Sequence, residues 1–551
     1  MSLDWIHIAR LAASASDVRD LVPLSREHHH GQEISRRHLR GGHGGPRARR
    51  LLVRHRGGGR RRHRWPGGRR HPQHRALVRA VDVRPVGGHE LARPHGGPPR
   101  LRHAAAQGRR RRVPRGLATD WEATSASSYV FTVRDDATCS DGTPITAQVV
   151  ADSLEHLAAS DGTNTRSLAF GEGDPTFTVD EESGTLTIDL SAPYSQLLGG
   201  VTIEGTGIIC PAGLADLDGL ATGDVEGAFS GPYTLTDQVA GVSATYTLRD
   251  DYDAWPDWER VEGTPATTIN ITVESDSNTS ANLLETGGLD VARFYDANAT
   301  RFTDSDEFTY VTDNSTANTL LFNEDPSSVF ADSQELRAAA AQAVSATAFN
   351  DAALDGLGNL MTSVTDSGFA CVATDESLLQ PYDPEAASEV LSGTTVRLLT
   401  MTNWEPAVDY VTEALSAAGA DVEVTSLDAA DWAQQLRTEP TTWDLTVRGE
   451  TNSSGLVHQA LLTKIGPSFG EGGTNYTSSD NAEGEAFLEA ALSTADPEEQ
   501  CADLVAAQET VLERVDVAPL ATSTHYIIAR EGINTYEFSG YWDVSALRIA
   551  S

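Results

Sequence analysis

Histidine is scarce where the sequence looks globular. Residues 116–551 hold only His156, His458 and His525, against 13 histidines in residues 1–115. A hydrolase needs a nucleophile, a base and an oxyanion donor together. His458 or His525 offers a base arithmetically, but a lone histidine is far more often structural than catalytic. The lone-histidine pattern therefore points to structural roles, and an enzyme is not the first reading. Four cysteines, Cys139, Cys210, Cys371 and Cys501, are widely spaced and form no Cys-x-x-Cys motif; no His-Glu-x-x-His motif occurs either. Neither a zinc site nor another metal or cofactor is expected. Four cysteines permit three pairings, and the sequence does not choose among them. An even count fits an oxidising compartment, with four buried free thiols as the plainer alternative.

The 551 residues carry a formal charge of −37 and suggest roughly three to four domain-sized units. The average conceals a split. Residues 1–115 hold 28 Arg, no Lys and 7 Asp plus Glu, a balance of +21; residues 116–551 carry −58. A surface that acidic repels phosphate backbones, so nucleic acid is excluded as a partner of the main body. No apolar run approaches the ~20 residues of a spanning helix. The first 115 residues run in Arg, Gly, His and Pro, as at Arg60–Arg64 and Arg109–Arg112, and mostly lack periodicity. Taken literally the segment is a disordered basic arm. Arg without Lys, mixed with Gly, Pro and His, is also what a GC-rich gene yields when read out of frame. The favoured expectation is a non-native, frameshifted segment. Ser35-Arg36-Arg37-His38-Leu39-Arg40 faintly resembles the start of a twin-arginine export signal, without the apolar stretch that should follow.

The elements that must position any site follow from Gly116 onward. Tyr129, Phe131 and Val133 alternate as a strand, and Thr146 caps a helix through Leu157. Residues 177–190 read as a hairpin around Glu182-Ser183-Gly184. Strands are expected at 233–235, 244–249, 269–273 and 289–292, with a short helix at Ser277–Leu284. Thr319–Asn323 reads as a buried strand and Ser333–Phe349 as one Ala-rich helix. Strands at Thr395–Leu399, Val422–Val424 and Leu445–Arg448 then alternate with helices at Pro384–Leu391, Pro406–Ala418 and Ala429–Leu436. Helices at Ala482–Ser493 and Pro497–Val515 precede a closing strand, Tyr526–Ala529. This alternation argues an α/β fold.

These residues also carry a resemblance. Gly116-Leu117-Ala118-Thr119-Asp120-Trp121, then Tyr129–Arg134, then Ser140-Asp141-Gly142-Thr143-Pro144-Ile145-Thr146-Ala147 follow one another in a known order. Ser230-Gly231-Pro232-Tyr233, Leu248-Arg249-Asp250-Asp251-Tyr252, Leu283–Val291, Arg337–Val344 and Pro381–Ala387 continue it in register. Residues 116–551 resemble the extracytoplasmic solute-binding proteins of ABC importers, the peptide/nickel-binding family 5. The resemblance implies a type II periplasmic-binding-protein-like fold of two lobes. Its first lobe would be 116–306, with a small subdomain at about 116–225. The second would be 307–528, with 529–551 returning to the first. The family's first lobe begins with a strand ahead of the Leu-Ala-x-x-Trp segment. Here that stretch falls in the Arg-rich text, and the strand is expected to be missing.

The resemblance further implies lobe-wise disulfides, Cys139–Cys210 and Cys371–Cys501, which leave a hinge free. It implies a cleft with aromatic walls and polar anchors. Trp404, in the loop after Thr395–Leu399, is the candidate wall. Glu450 is the candidate anchor for a ligand ammonium group, and Arg448 for a ligand carboxylate, or as a partner of Glu450. Tyr476 is the remaining candidate. The family's Asp-Pro-Asp signature is replaced by Thr451-Asn452-Ser453-Ser454-Gly455. The implied function is capture of a peptide or peptide-like solute by lobe closure and its delivery to ABC permease subunits. The protein would be a monomer outside the cytoplasm, lipid-anchored or periplasmic, with its export signal disrupted in this sequence. A sensory receptor on the same fold is the alternative.

Overall fold

The computed structural model describes residues 77–82, 116–160, 164–256, 262–402, 404–538 and 540–550. The rest of the Arg-rich segment, and with it the expectation of disorder there, lies outside the described residues. In chain order the strands are β1 Leu77–Asp82, β2 Ala118–Ser125, β3 Ser128–Val133, β4 Pro175–Asp180, β5 Thr185–Leu190, β6 Tyr233–Val239, β7 Ser243–Leu248 and β8 Thr264–Pro265. There follow β9 Thr268–Val273, β10 Val291–Phe294, β11 Phe308–Phe322, β12 Thr395–Met401, β13 Asp421–Leu427, β14 Leu445–Thr451 and β15 Val517–Arg530.

Ten of these form one mixed sheet in the order β13-β12-β14-β11-β15-β10-β1-β9-β7-β6. The 15-residue β11 and the 14-residue β15 pair antiparallel along the middle and run through both halves of the sheet. Their register breaks between Asp313 and Thr316, opposite His525 and Ser523. Contrary to the expectation from sequence, the strand ahead of Leu117 is present: β1 lies between β9 and β10, parallel to both. Its Leu-Val-Arg-Ala-Val run is short but extended-favouring, and ladder bonds require only backbone.

Successive apolar residues face opposite sides of a strand, so these buried strands read as continuous apolar runs. On β11, Leu320 and Phe322 enter one core with the helices Gln334–Ala343, Pro384–Leu391 and Glu405–Ala417; Leu321 enters another with Val457–Leu462, Ala482–Ser493 and Pro497–Glu513. On β15, Ile528 packs with the helix Ser277–Thr286 and its neighbours, while Ile527 and Ala529 pack with Tyr233, Tyr246 and Trp542. A separate four-stranded sheet, β2-β3-β5-β4, and the helix Ala147–Ala158 enclose a core of their own.

Local chemistry explains most boundaries. Thr146 accepts the Val149 N–H at the start of its helix, and Gly287, at φ 77°, ends Ser277–Thr286 in the left-handed region that glycine tolerates. The single helix expected at 333–349 is two. Ser345 accepts the Ala348 N–H and starts a second helix, Ala346–Ala353, after Val344 takes an extended conformation. The motif residue Arg249 is a rivet: its guanidinium donates to Thr138 O, Cys139 O and Gly231 O and pairs with Asp251. Two disulfides are present, Cys139–Cys210 and Cys371–Cys501. Each closes within one region of the fold, the pairing the resemblance implies.

Candidate functional site

The site is built at the carboxyl end of β14. Parallel β12 and β14 lie side by side, and β11 runs antiparallel to β14. The ends of parallel strands are where open α/β sheets leave a crevice. Alternation along β14 sends Arg448 and Glu450 to one face and Gly449 to the other.

On the first face three of the four candidates meet. The Arg448 guanidinium carbon lies 3.7 Å from the centre of the Tyr476 ring, a stacked cation–π contact. Arg448 Nη2 stands 3.8 Å from Glu450 Oε1. Tyr476 is held by its neighbours: its N–H donates to Thr463 O, and Asn475 Oδ1 accepts the N–H and hydroxyl of Thr477. Phe469 packs against Tyr476 at 4.7 Å between ring centres.

Glu450 has a further partner that sequence reasoning missed. Lys464 Nζ donates to Glu450 Oε2 at 2.9 Å, and the Thr463 hydroxyl donates to the same oxygen at 3.1 Å. Burial pushes the Glu450 carboxyl up, but Lys464 and then Arg448 outweigh it and hold the group below the usual carboxylate range. Burial likewise draws the Lys464 ammonium down, against the pull of Glu450. Lys464 is the only lysine in the 551 residues, a compositional signal that could have drawn attention to it. The cluster carries two cations and one carboxylate. Arg448 Nη1 is buried with no hydrogen-bond partner among the described residues, the state of a donor reserved for something else.

Trp404 stands apart. It precedes the helix Glu405–Ala417 and covers the opposite face of β14. A Cβ on Gly449 would lie 2.8 Å from its ring carbons and 2.9 Å from Asn318 Oδ1, so only glycine fits there. Asn318 Oδ1 is another buried atom without a hydrogen-bond partner among the described residues, while its amide nitrogen donates to Ala521 O and Ser523 Oγ.

The two histidines considered for hydrolysis are engaged otherwise. The Tyr194 hydroxyl donates to Leu168 O at 2.8 Å and so accepts from His458 Nε2 at 2.9 Å. Burial pushes the His458 pKa down to about 3. His525 Nδ1 accepts from Arg293 Nη2 at 3.1 Å, beside the buried Arg293–Glu537 pair. Among the described residues neither imidazole bonds a serine or cysteine side chain. No group of three or more His, Cys, Asp or Glu among them could hold a metal, and no helix among them is long and apolar enough to cross a membrane.

The sequence profile of the bacterial extracellular solute-binding proteins, family 5, matches residues 112–466. The chain belongs to this family. It is the substrate-binding component of an ABC importer, and the family is one of binding proteins rather than enzymes. A substrate-binding protein from Microbacterium hydrocarbonoxydans, solved with 4-hydroxybenzoate hydrazide, is 34% identical; the match covers 86% of this chain and 100% of that one, with a TM-score of 0.71. A putative peptide-binding protein from Clostridium difficile (15% identity, 79% and 91% covered, TM-score 0.67) shares the fold. So does a dipeptide-binding protein from a Pseudoalteromonas species in complex with Met-Leu (16%, 79% and 90%, 0.62). No curated protein matches.

Proposed function

We propose that this family 5 protein captures a small peptide-like acyl solute by closing two lobes around it and hands it to ABC permease subunits at the membrane. The lobes are those implied by the motifs, 116–306 with the returning 529–551, and 307–528. The first includes a small subdomain at about 116–225. The hinge falls in the register breaks of β11 and β15, where a strand pair bends most readily. The protein works as a monomer outside the cytoplasm, lipid-anchored or periplasmic.

The observation that carries this reading is the Arg448 guanidinium, stacked on Tyr476 with Nη1 buried and unpartnered among the described residues. A buried charged donor of this kind fits an acyl or carboxylate oxygen, while the Tyr476 ring offers an aromatic surface. The 34% identical relative was solved with an aromatic acyl hydrazide, a compound whose –CO–NH– group is that of a peptide. Closure has its own contacts. Tyr194 and Ser195 of the first lobe meet His458, Ala491, Leu492 and Gln500 of the second. A solute that touches both lobes only when they are closed shifts the population toward the closed form.

Titration calorimetry of the full chain with 4-hydroxybenzoate hydrazide and with Met-Leu tests the reading, with small-angle scattering to follow closure. Saturable binding of at least one, with a smaller radius of gyration, is the expected result. Saturable binding without any compaction removes the closure mechanism, and no binding of either removes the solute class.

A further inference from the structure

We propose that Lys464 sets the solute specificity of this site: by taking up the Glu450 carboxylate it leaves Arg448 as the uncommitted charge. The site then selects neutral or anionic acyl compounds and rejects solutes that present an ammonium group. The inference rests on the acyl-solute reading above and goes further, because it assigns the selecting residue and the charge it selects.

The argument is one of local charge and hydrogen bonding. Glu450 alone on β14 would attract an ammonium group, the role its position suggests. In the structure that role is already filled from within the chain. Lys464 Nζ sits at 2.9 Å from Oε2 and is also held by Ala460 O and Thr463 Oγ1, so all three of its protons have acceptors. Its side chain is 1% exposed. Glu450 Oε2 thus already holds an ammonium at hydrogen-bond distance, with the Thr463 hydroxyl 3.1 Å away, and Oε1 faces the Arg448 guanidinium at 3.8 Å. Arg448 is differently placed: it contacts Glu450 only at 3.8 Å, through Nη2, and its Nη1 has no acceptor among the described residues. With one carboxylate between two cations, a ligand bearing a further positive charge meets net repulsion in a dry site, where like charges discriminate strongly. Asn475, Thr463 and Tyr476 brace the arrangement through backbone bonds, so it is preorganised rather than improvised on binding.

The test compares three probes on the full chain: 4-hydroxybenzoate hydrazide, 4-hydroxybenzoate and 4-hydroxybenzylamine, the last a cation of similar shape. The native chain should favour the first two over the amine by about tenfold or more. Lys464→Met should weaken the acyl probes by about tenfold and strengthen the amine, reversing the preference; Lys464→Arg should restore it. An unchanged ratio in Lys464→Met, with all three probes weakened alike, would assign Lys464 a structural role and overturn the proposal. If Lys464→Met does not fold, the double variant Glu450→Gln/Lys464→Met, which removes both charges, should keep the acyl preference because Arg448 remains free. Loss of that preference overturns the proposal. Failure of every acyl probe to bind the native chain would instead strike the solute class. The charge assignment can then be read without a ligand. In protein labelled with nitrogen-15 at lysine, the single side-chain signal should be that of a protonated ammonium at pH 7, and a neutral amine there would overturn the proposal.

Discussion

Two buried ion clusters lie on neighbouring parts of the central sheet, and they are wired in opposite ways. At the end of β14 the carboxylate of Glu450 is taken up by Lys464 and Thr463, and the cation Arg448 keeps a nitrogen, Nη1, without an acceptor among the described residues. Where β10 meets β15, the cation is the committed partner. Arg293 Nη2 faces Glu537 Oε1, Gly540 O and His525 Nδ1, and it is Glu537 that keeps an open oxygen, Oε2. Burial pushes Glu537 up, but the Arg293 guanidinium beside it outweighs burial and holds it low. The second cluster ties a short C-terminal hairpin, Glu537–Phe538 paired with Tyr541–Trp542, to the sheet and works as a clasp. A buried guanidinium bonded at short range to a carboxylate and a carbonyl of the chain supports the fold, whereas one that meets its carboxylate only at 3.8 Å is available to a solute.

The largest effect should come from breaking the clasp. Arg293→Met leaves Glu537 buried without its cation and should cost about 3–5 kcal/mol of stability, read as a lowered denaturation midpoint. Solute affinity of the molecules that remain folded should change little. Arg448→Gln should do the reverse. It should lower affinity for 4-hydroxybenzoate hydrazide by about 1.5–3 kcal/mol, the worth of a hydrogen bond to a charged group, with the melting temperature nearly unchanged. If the two variants behave alike, the distinction between clasp and site collapses.

A pH titration sharpens the comparison through His458, which lies between the proposed lobes. In the closed form its pKa is pushed down to about 3 by burial; opened to water it would return to about 6.5. Protonation therefore favours opening. The contribution of His458 to closure is complete above about pH 6.5 and is lost as pH falls from there toward 3. Between pH 7.5 and 5, affinity should fall by roughly 30-fold on this account, and His458→Gln should flatten that slope. A native slope that persists in the variant would move the effect to another group. The smallest effect concerns the face of β14 opposite the site. Gly449→Ala drives a methyl group into the Trp404 ring and Asn318 and should cost about 1 kcal/mol of stability by overpacking. If it abolishes binding instead, Trp404 and Asn318 belong to the solute site after all.

The α/β architecture was legible because its signals are local. Strand alternation at Tyr129–Val133, the Thr146 cap and the Gly287 stop each act over a few residues. The helix break at Ser345 was hidden in an alanine-rich run whose apolar spacing continues through it. Strands β11 and β15 extend well beyond their apolar centres because hydroxyl-rich stretches such as Thr309–Asp313 pair in the sheet while looking like loop in sequence. At the site, Arg448, Glu450 and Tyr476 were visible as residue types near a strand end. Two things were not. Lys464 reaches Glu450 from 14 residues away across a strand-to-helix connection, which no local pattern reports. Trp404 belongs to the other face of β14, and Gly449 between Arg448 and Glu450 was the residue that marked the change of face.

The most direct test is a crystal structure of the full chain with 4-hydroxybenzoate hydrazide. The account predicts the acyl oxygen within hydrogen-bond distance of Arg448 Nη1, the ring beside Tyr476, and Glu450 still bound to Lys464. A ligand whose terminal nitrogen lies on Glu450 with Lys464 displaced, or one that touches neither Arg448 nor Tyr476, would contradict it.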